Sequence, residues 1–364
     1  MPRTAQGAIA RVPGDPVVFE KFTLDDPGER DVVVKILATG VCHTDLGLKT
    51  GTYGTDGFPF LLGHEGAGVV EEVGSRVTRV AVGDHVMLNW RAPCGECRFC
   101  VKGKHNFCAN SHNAEGKMRD MDGNPLNAAL GIGTFCERTL VHEVQCVKYD
   151  SSIPAEPMSL IGCGVMTGVG AALYSAEVQV GDSVAVFGCG GVGDSVIQGA
   201  KIAGATKIIA VDIDNQKLEW AKDFGATHTI NPREVDDVVE AIKGMTDGNG
   251  VNHSFEAVGI AETLEQALFC RDLAGNCVLI GVPGPGPRLD IDIQQFFDLG
   301  GSLTVSWYGN CIPARDFPTL AAWYQQGTLD LDRLVSRKIT LAETNDAFDA
   351  MKRGETLRSV IVFD

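Results

Sequence analysis

The sequence predicts an α/β protein in which a β-rich part is followed by a doubly wound parallel sheet. Three observations predict it. Short β-branched runs bounded by Gly, Pro and Asp fill roughly the first 150 residues. From about residue 180, strands alternate with helices of about 10–12 residues, the pattern of a parallel sheet covered on both faces. After Tyr308 the chain returns to turns and short helices and ends in an apolar strand that starts at Arg358. A chain of 364 residues, at ~150 per domain, suits two such domains.

Taken in order, 31–37, 68–73 and 85–88 read as strands of the first part. In the second part 183–187 is a buried strand, 192–203 a helix and 207–213 a strand; 215–224 is a helix closed by Gly225. The segments 235–245, 252–258, 261–272 and 276–282 continue the alternation. The longest stretch without charge, 160–175, is expected to be too short and glycine-rich for the ~20 helical residues that cross a bilayer. The N-terminus lacks the apolar run of a signal peptide, so a cytoplasmic protein with no membrane partner is expected. The net charge of −16 carries no basic stripe and argues against a nucleic-acid partner. Glycine is 44 of 364 residues, or 12% against ~7% on average, which suggests tight turns and close backbone approaches to a ligand.

Gly188-Cys-Gly190-Gly191-Val-Gly193 has the form G-x-G-x-x-G and lies between a predicted strand and a predicted helix. Asp212 ends the next strand, 19 residues beyond the last glycine, where a carboxylate accepts both ribose hydroxyls of an adenosine half. The glycines let backbone amides reach a pyrophosphate at the positive end of the helix dipole. Asp212 repels a 2′-phosphate, so NAD is expected rather than NADP. Lys217 could flank the same ribose, or simply be solvated.

Twelve cysteines in a reducing compartment are thiols or metal ligands, not a disulfide framework. Cys94, Cys97, Cys100 and Cys108 place four thiolates within fifteen residues, enough to close tetrahedrally around one structural zinc. An iron–sulfur cluster fits less well, because the last spacing is seven residues and alanine follows. A second set is dispersed: Cys42 in Gly-Val-Cys-His-Thr-Asp, His64 in Gly-His-Glu-Gly and Cys163 in Gly-Cys-Gly. Spacing alone leaves open whether these three are ligands or core residues. Cys136, Cys146, Cys189, Cys270, Cys277 and Cys311 read as structural.

Together these motifs resemble the zinc-dependent medium-chain alcohol dehydrogenases. The resemblance runs from Gly40-Val-Cys42-His-Thr44-Asp45 through Gly63-His64-Glu65-Gly-Ala-Gly68, the four-cysteine lobe and Gly162-Cys163-Gly-Val-Met-Thr167 to the glycine loop and Leu357-Arg358. Leu88-Asn-Trp-Arg91, Cys163-Gly-Val-Met and Ser306-Trp-Tyr-Gly309 look most like the mycothiol-dependent formaldehyde dehydrogenases, also called S-nitrosomycothiol reductases.

The resemblance implies a GroES-like catalytic domain, 1–164 and 308–364 with its zinc lobe at 91–110, split around a Rossmann coenzyme domain at 165–307, with the active site in the cleft between them. It implies two zinc ions per chain. Cys42, His64 and Cys163 would hold the catalytic one, and Glu65 would approach it transiently. Asp45 would hold the other nitrogen of His64, and Thr44 would take the substrate's hydroxyl proton. His43 and Arg358 match positions that contact the coenzyme pyrophosphate, and Thr167 one that backs the nicotinamide. Val192, Ile280 and Val282 are counted with the coenzyme contacts. Zinc would stabilise an alkoxide that expels hydride to NAD.

Two departures stand out. Many relatives carry a histidine five residues after the first zinc cysteine to finish the proton relay, whereas this chain has Gly47, so solvent or His43 is expected to finish it. Glutathione-dependent relatives carry an arginine four residues after the fourth lobe cysteine, and here that position is His112. The expected activity is therefore oxidation of a mycothiol adduct of formaldehyde. The alternatives are a general primary aliphatic or benzylic alcohol dehydrogenase and, more remotely, a quinone or enoyl reductase of the zinc-free type. The segment 289–304 resembles the edge strands through which such enzymes pair, so a homodimer or homotetramer is expected.

Overall fold

The computed structural model describes residues 3–112 and 117–364, and they pack as two compact units: Met1–Cys163 with Ile312–Asp364, and Gly164–Cys311.

The first unit is built on two sheets. The smaller has five strands in the spatial order Met118–Asp120, Val18–Leu24, Arg3–Ala10, Phe60–Leu61 and Asn127–Ala128. The larger runs Cys146–Lys148, His85–Leu88, Glu65–Val73, Asp31–Gly40, Arg358–Val362 and Val335–Ile339, and Arg138–His142 also pairs with Asp31–Gly40. Its centre is the long Asp31–Gly40 strand, which is Val/Ile-rich and almost wholly buried, as a strand covered on both faces must be. Arg358–Val362 lies antiparallel to the end of that strand, with Val360 opposite Gly40. The last strand of the chain therefore abuts the segment that leads into Cys42.

The short helix His43–Thr50 is seated by an apolar cluster of Val41, Leu62, Phe135, Phe348 and Ile361, with Leu46 and Leu48 packed against it. Phe135 and Phe348 meet as tilted rings with centroids 6.4 Å apart. Truncating either to alanine would cost about 3–5 kcal/mol and loosen the seat of this helix.

The second unit holds six parallel strands in the order His228–Ile230, Lys207–Val211, Ser183–Phe187, Val251–Glu256, Arg271–Leu279 and Ser302–Val305. In chain order this is 3-2-1-4-5-6, the dinucleotide-binding arrangement, with its switch point beside Ser183–Phe187. The strands are apolar on both faces because helices such as Gly191–Ala203 and Ala261–Phe269 cover them.

Two segments differ from the sequence expectation. The apolar stretch is part of a longer helical run, Ala155–Ser175, which by length and composition suffices to cross a membrane but is mostly buried in the protein interior. The reason is that Ala155–Leu160 continues it backwards past Glu156, a residue that the uncharged stretch left out. The segment 289–304 is not all strand: it forms the helix Ile293–Leu299 and only then the edge strand Ser302–Val305. The aspartate at 292 caps that helix by accepting from the Gln295 N–H, a start signal that outweighs strand propensity.

Candidate metal and coenzyme sites

Cys42 is the N-cap of His43–Thr50, and Asp45 closes a capping box by accepting from the Cys42 N–H at 3.1 Å. The other carboxylate oxygen of Asp45 accepts from the Gly63 N–H and lies 2.9 Å from His64 Nδ1. A single buried carboxylate thus ties the helix to the His64 segment and orients the imidazole, leaving Nε2 to face the interior. Cys163 comes from elsewhere in the chain, within the π-helical turn Ile161–Val165, a local break of the kind often found at functional sites.

These elements bring the ligand atoms of Cys42, His64, Glu65 and Cys163 within 4.8 Å of one another. His64 Nε2 is buried, makes no well-formed hydrogen bond and feels the charge of the Cys42 sulfur. The neighbouring Cys163 sulfur holds the Cys42 thiol well below its usual range, while Cys42 and then burial push the Cys163 thiol up. Burial works against a charged His64, but Asp45 and then Cys42 raise its pKa. Burial pushes Glu65 up to about 7 against the pull of Arg358, whose guanidinium lies 3.3 Å from the Glu65 carboxylate. An unpartnered buried imidazole nitrogen and a buried carboxylate beside two sulfurs are what a cation would satisfy, and two sulfurs with one nitrogen are the donor set of a catalytic zinc site. The donor set fits zinc.

Four further cysteines, Cys94, Cys97, Cys100 and Cys108, also hold their sulfurs within 4.8 Å of one another. Backbone N–H groups point at them: Cys94 N donates to the Cys108 sulfur and Cys97 N to the Cys94 sulfur, both at 3.3 Å. Backbone N–H groups of Ala109 and Cys100 hold the Cys97 thiol down to about 6, while burial pushes Cys100 up to about 12. Arg91 fastens the lobe by donating to the carbonyls of Asn106 and Cys108. Four thiolates here fit a closed tetrahedral zinc with no position for substrate.

In the second unit the glycine loop follows Ser183–Phe187 and opens the helix Gly191–Ala203. A Cβ on Gly193 would overlap the Gly188 carbonyl oxygen, so the loop and helix touch there; a Cβ on Gly190 would meet nothing within 4 Å, so that face is open to a ligand. Asp212 follows Lys207–Val211 and accepts from the Cys189 N–H at 2.8 Å and the Asp214 N–H at 3.0 Å, which holds it beside the loop. Lys217 stands near enough to influence the buried groups of the loop. Val192 and Thr167 are half-buried, Ile280 is buried and Val282 is 60% exposed, all within this unit. In the first unit His43 is exposed at the start of its helix, Thr44 is half-buried beside it, and Arg358 is buried against Glu65.

Two residues at these sites escaped the sequence reading. Asp194, directly after the glycine loop, has both carboxylate oxygens buried without a partner; burial and then the charge of Asp212 raise its pKa far above the usual range. Its signal was a carboxylate on an otherwise apolar helix face. Tyr53 lies on the turn after His43–Thr50, and its ring covers Gly47.

A β-rich unit with two cysteine clusters that could each hold a metal ion, in one chain with a dinucleotide-binding sheet, has the make-up of a metal-dependent dehydrogenase. The chain belongs to the zinc-dependent medium-chain alcohol dehydrogenase family, and it is an oxidoreductase. Residues 28–155 match the alcohol dehydrogenase GroES-like domain and residues 191–326 the zinc-binding dehydrogenase domain. The chain is 38% identical to alcohol dehydrogenase class-3 of Zea mays, over 98% of this chain and 96% of that one. It is 39% identical to S-(hydroxymethyl)glutathione dehydrogenase of Saccharomyces cerevisiae, again over 98% and 96%. Among solved structures it is similar to benzyl alcohol dehydrogenase from Acinetobacter calcoaceticus, with a TM-score of 0.93, 33% identity and full coverage of both chains. It is also similar to a zinc-binding dehydrogenase from Sinorhizobium meliloti bound to NADP, with a TM-score of 0.83, 26% identity and coverage of 99% and 100%.

Proposed function

We propose that this chain is an NAD-dependent zinc dehydrogenase that oxidises the hydroxymethyl adduct formed by formaldehyde and a low-molecular-weight thiol, with mycothiol as the thiol. The observation that carries the reading is the convergence of Cys42, His64, Glu65 and Cys163 within 4.8 Å. Zinc in that cluster would act as a Lewis acid on the substrate hydroxyl. The chain's own residues do the rest. Asp45 fixes the His64 tautomer with Nδ1–H toward its carboxylate. Thr44, two residues from Cys42, accepts the substrate's proton at its hydroxyl, and Arg358 neutralises Glu65. Asp212 would accept the adenosine ribose hydroxyls and repel a 2′-phosphate, while the open backbone at Gly190 would take the pyrophosphate.

The thiol-adduct substrate is supported by the relatives named for S-(hydroxymethyl)glutathione. Mycothiol is preferred over glutathione because His112, stacked on His142 with ring centroids 5.4 Å apart, cannot offer a bidentate guanidinium to a carboxylate. The second reading, a primary alcohol dehydrogenase, is supported by the likeness to benzyl alcohol dehydrogenase. The edge strand Ser302–Val305 leaves Leu303 and Val305 exposed, in keeping with a homodimer or homotetramer.

NADH formation from formaldehyde with mycothiol, with glutathione and with neither, beside benzyl alcohol, separates these readings. Turnover that requires mycothiol supports the proposal. Equal turnover with glutathione overturns the thiol assignment, and turnover of benzyl alcohol alone favours the second reading.

A further inference from the structure

Asp194 is the fourth residue of the helix Gly191–Ala203 and the first after the glycine loop; its N–H donates to the Gly190 carbonyl at 2.8 Å and closes the first turn. Its side chain is wholly buried, and neither carboxylate oxygen has a hydrogen-bond partner. Helical side chains lean toward the N-terminus, so the carboxyl lies back under the loop, where its charge acts on the Cys189 thiol. The residues that follow on the helix, Val196 and Ile197, are buried and apolar. A buried polar group without a partner destabilises a fold, so packing alone would favour leucine at 194.

The charged groups that act on Asp194 are Asp212, at the end of Lys207–Val211, and Lys217, on the helix Asn215–Phe224. Lys207 stands at the far end of its strand, donating to the Met245 carbonyl, and Lys201 lies two turns along the same helix as Asp194. Met166–Gly170 and Ser183–Phe187, which also pack on this helix, have no ionisable side chain. Ala171–Ser175, which carries Tyr174, packs further along, with Ala172 against Gly199. Burial and then the charge of Asp212 raise the pKa of Asp194, against the pull of Lys217. A pyrophosphate seated on the loop would add two negative charges above the carboxyl and hold its proton to a still higher pH.

Resting on the coenzyme site proposed above, we propose that Asp194 is a positioning residue of that site, a buried carboxyl under the glycine loop through which coenzyme binding is coupled to the uptake of one proton. The balance is simple: the protein with ionised Asp194, one proton and one coenzyme give a complex in which the Asp194 carboxyl is neutral, and the O–H bond is the only one formed. Affinity is full where Asp194 is already protonated in the free protein and falls as pH rises through the pKa of that state.

The test is calorimetry of NADH binding to the zinc-loaded, full-length protein in two buffers of different ionisation enthalpy. The wild type should take up about half a proton or more in the alkaline range, and its Kd for NADH should rise at least about 10-fold from neutral pH to about pH 10, the change that a one-unit rise in pKa on binding gives. Asp194→Asn keeps the shape, removes the ionisation and should show neither effect. Asp194→Leu, which suits the apolar face, makes the same comparison if the asparagine does not fold. NADH binding by the wild type with no proton uptake across this range overturns the proposal whatever the variants do, as does an uptake that the variants retain. A wild type that binds neither NADH nor NADPH overturns the coenzyme site itself, which is a different failure.

Discussion

Asp45 ties together the Cys42 and His64 segments of its unit. It caps a helix, accepts from Gly63 and orients His64, all with one buried carboxylate. Replacing it with asparagine keeps the shape and removes the charge that favours Nδ1–H on the imidazole. Losing such an outer partner of a metal ligand typically lowers metal affinity 10–100-fold. Asp45→Asn should therefore lose zinc to a chelator at least about 10-fold faster than the wild type, measured by metal analysis over time, while the lobe zinc stays. Asp212 has the matching role at the coenzyme end. Both its oxygens are held by backbone N–H groups, so its charge is fixed in place rather than free to swing away. The wild type should prefer NAD over NADP by at least about 100-fold in kcat/KM, or about 2.7 kcal/mol, and Asp212→Gly should narrow that gap. Equal efficiency with both coenzymes in the wild type would refute the role.

Among the elements, the strand–loop–helix of residues 183–203 tolerates little change at Gly193. Gly193 packs so closely on the Gly188 carbonyl that any Cβ overlaps it, and neither partner is a flexible side chain that could yield. Gly193→Ala should cost about 1–3 kcal/mol, the usual cost of overpacking, and weaken NADH binding through the distorted loop. Thermal unfolding and a fluorescence titration with NADH check both effects, whereas Gly190→Ala, with open space at its Cβ, should keep the stability. The helix Ile293–Leu299 shows a different lesson. Its segment read as strand because 289–304 was matched as a whole to a pairing edge, while the Asp292 cap is a local signal that only its own residues carry.

For the whole molecule, two metal centres of like chemistry should differ in what their loss does. The lobe cluster gathers four thiols from fifteen consecutive residues, so a metal held there would cross-link the lobe to itself. The other centre rests on sheets and an apolar core that stand without it. Cys97→Ser should accordingly lower the melting temperature and the yield of folded protein, because a structural zinc contributes folding energy. Cys163→Ser should abolish turnover yet leave a folded protein that binds NADH. Two zinc ions per wild-type chain, counted by metal analysis, would complete the pattern; an iron chromophore would refute it.

What the sequence by itself determined is whatever depends on near neighbours along the chain. The alternation of strand and helix after residue 180, the strand–glycine–helix junction with Asp212 one strand later, and four cysteines within one loop are all local, and each carries its chemistry in its spacing. The tertiary structure decided what depends on distant residues. Cys42, His64 and Cys163 had only a family resemblance to join them, since more than a hundred residues separate the first from the last and each alone reads as a core residue. The sheet pairing and the capped helix bring their atoms together. Tyr53 and Gly47 were likewise unreadable as a pair. A glycine in a helix signals an absent side chain, but which ring fills the space is settled by how the turn after it folds back, and that is a matter of three-dimensional packing.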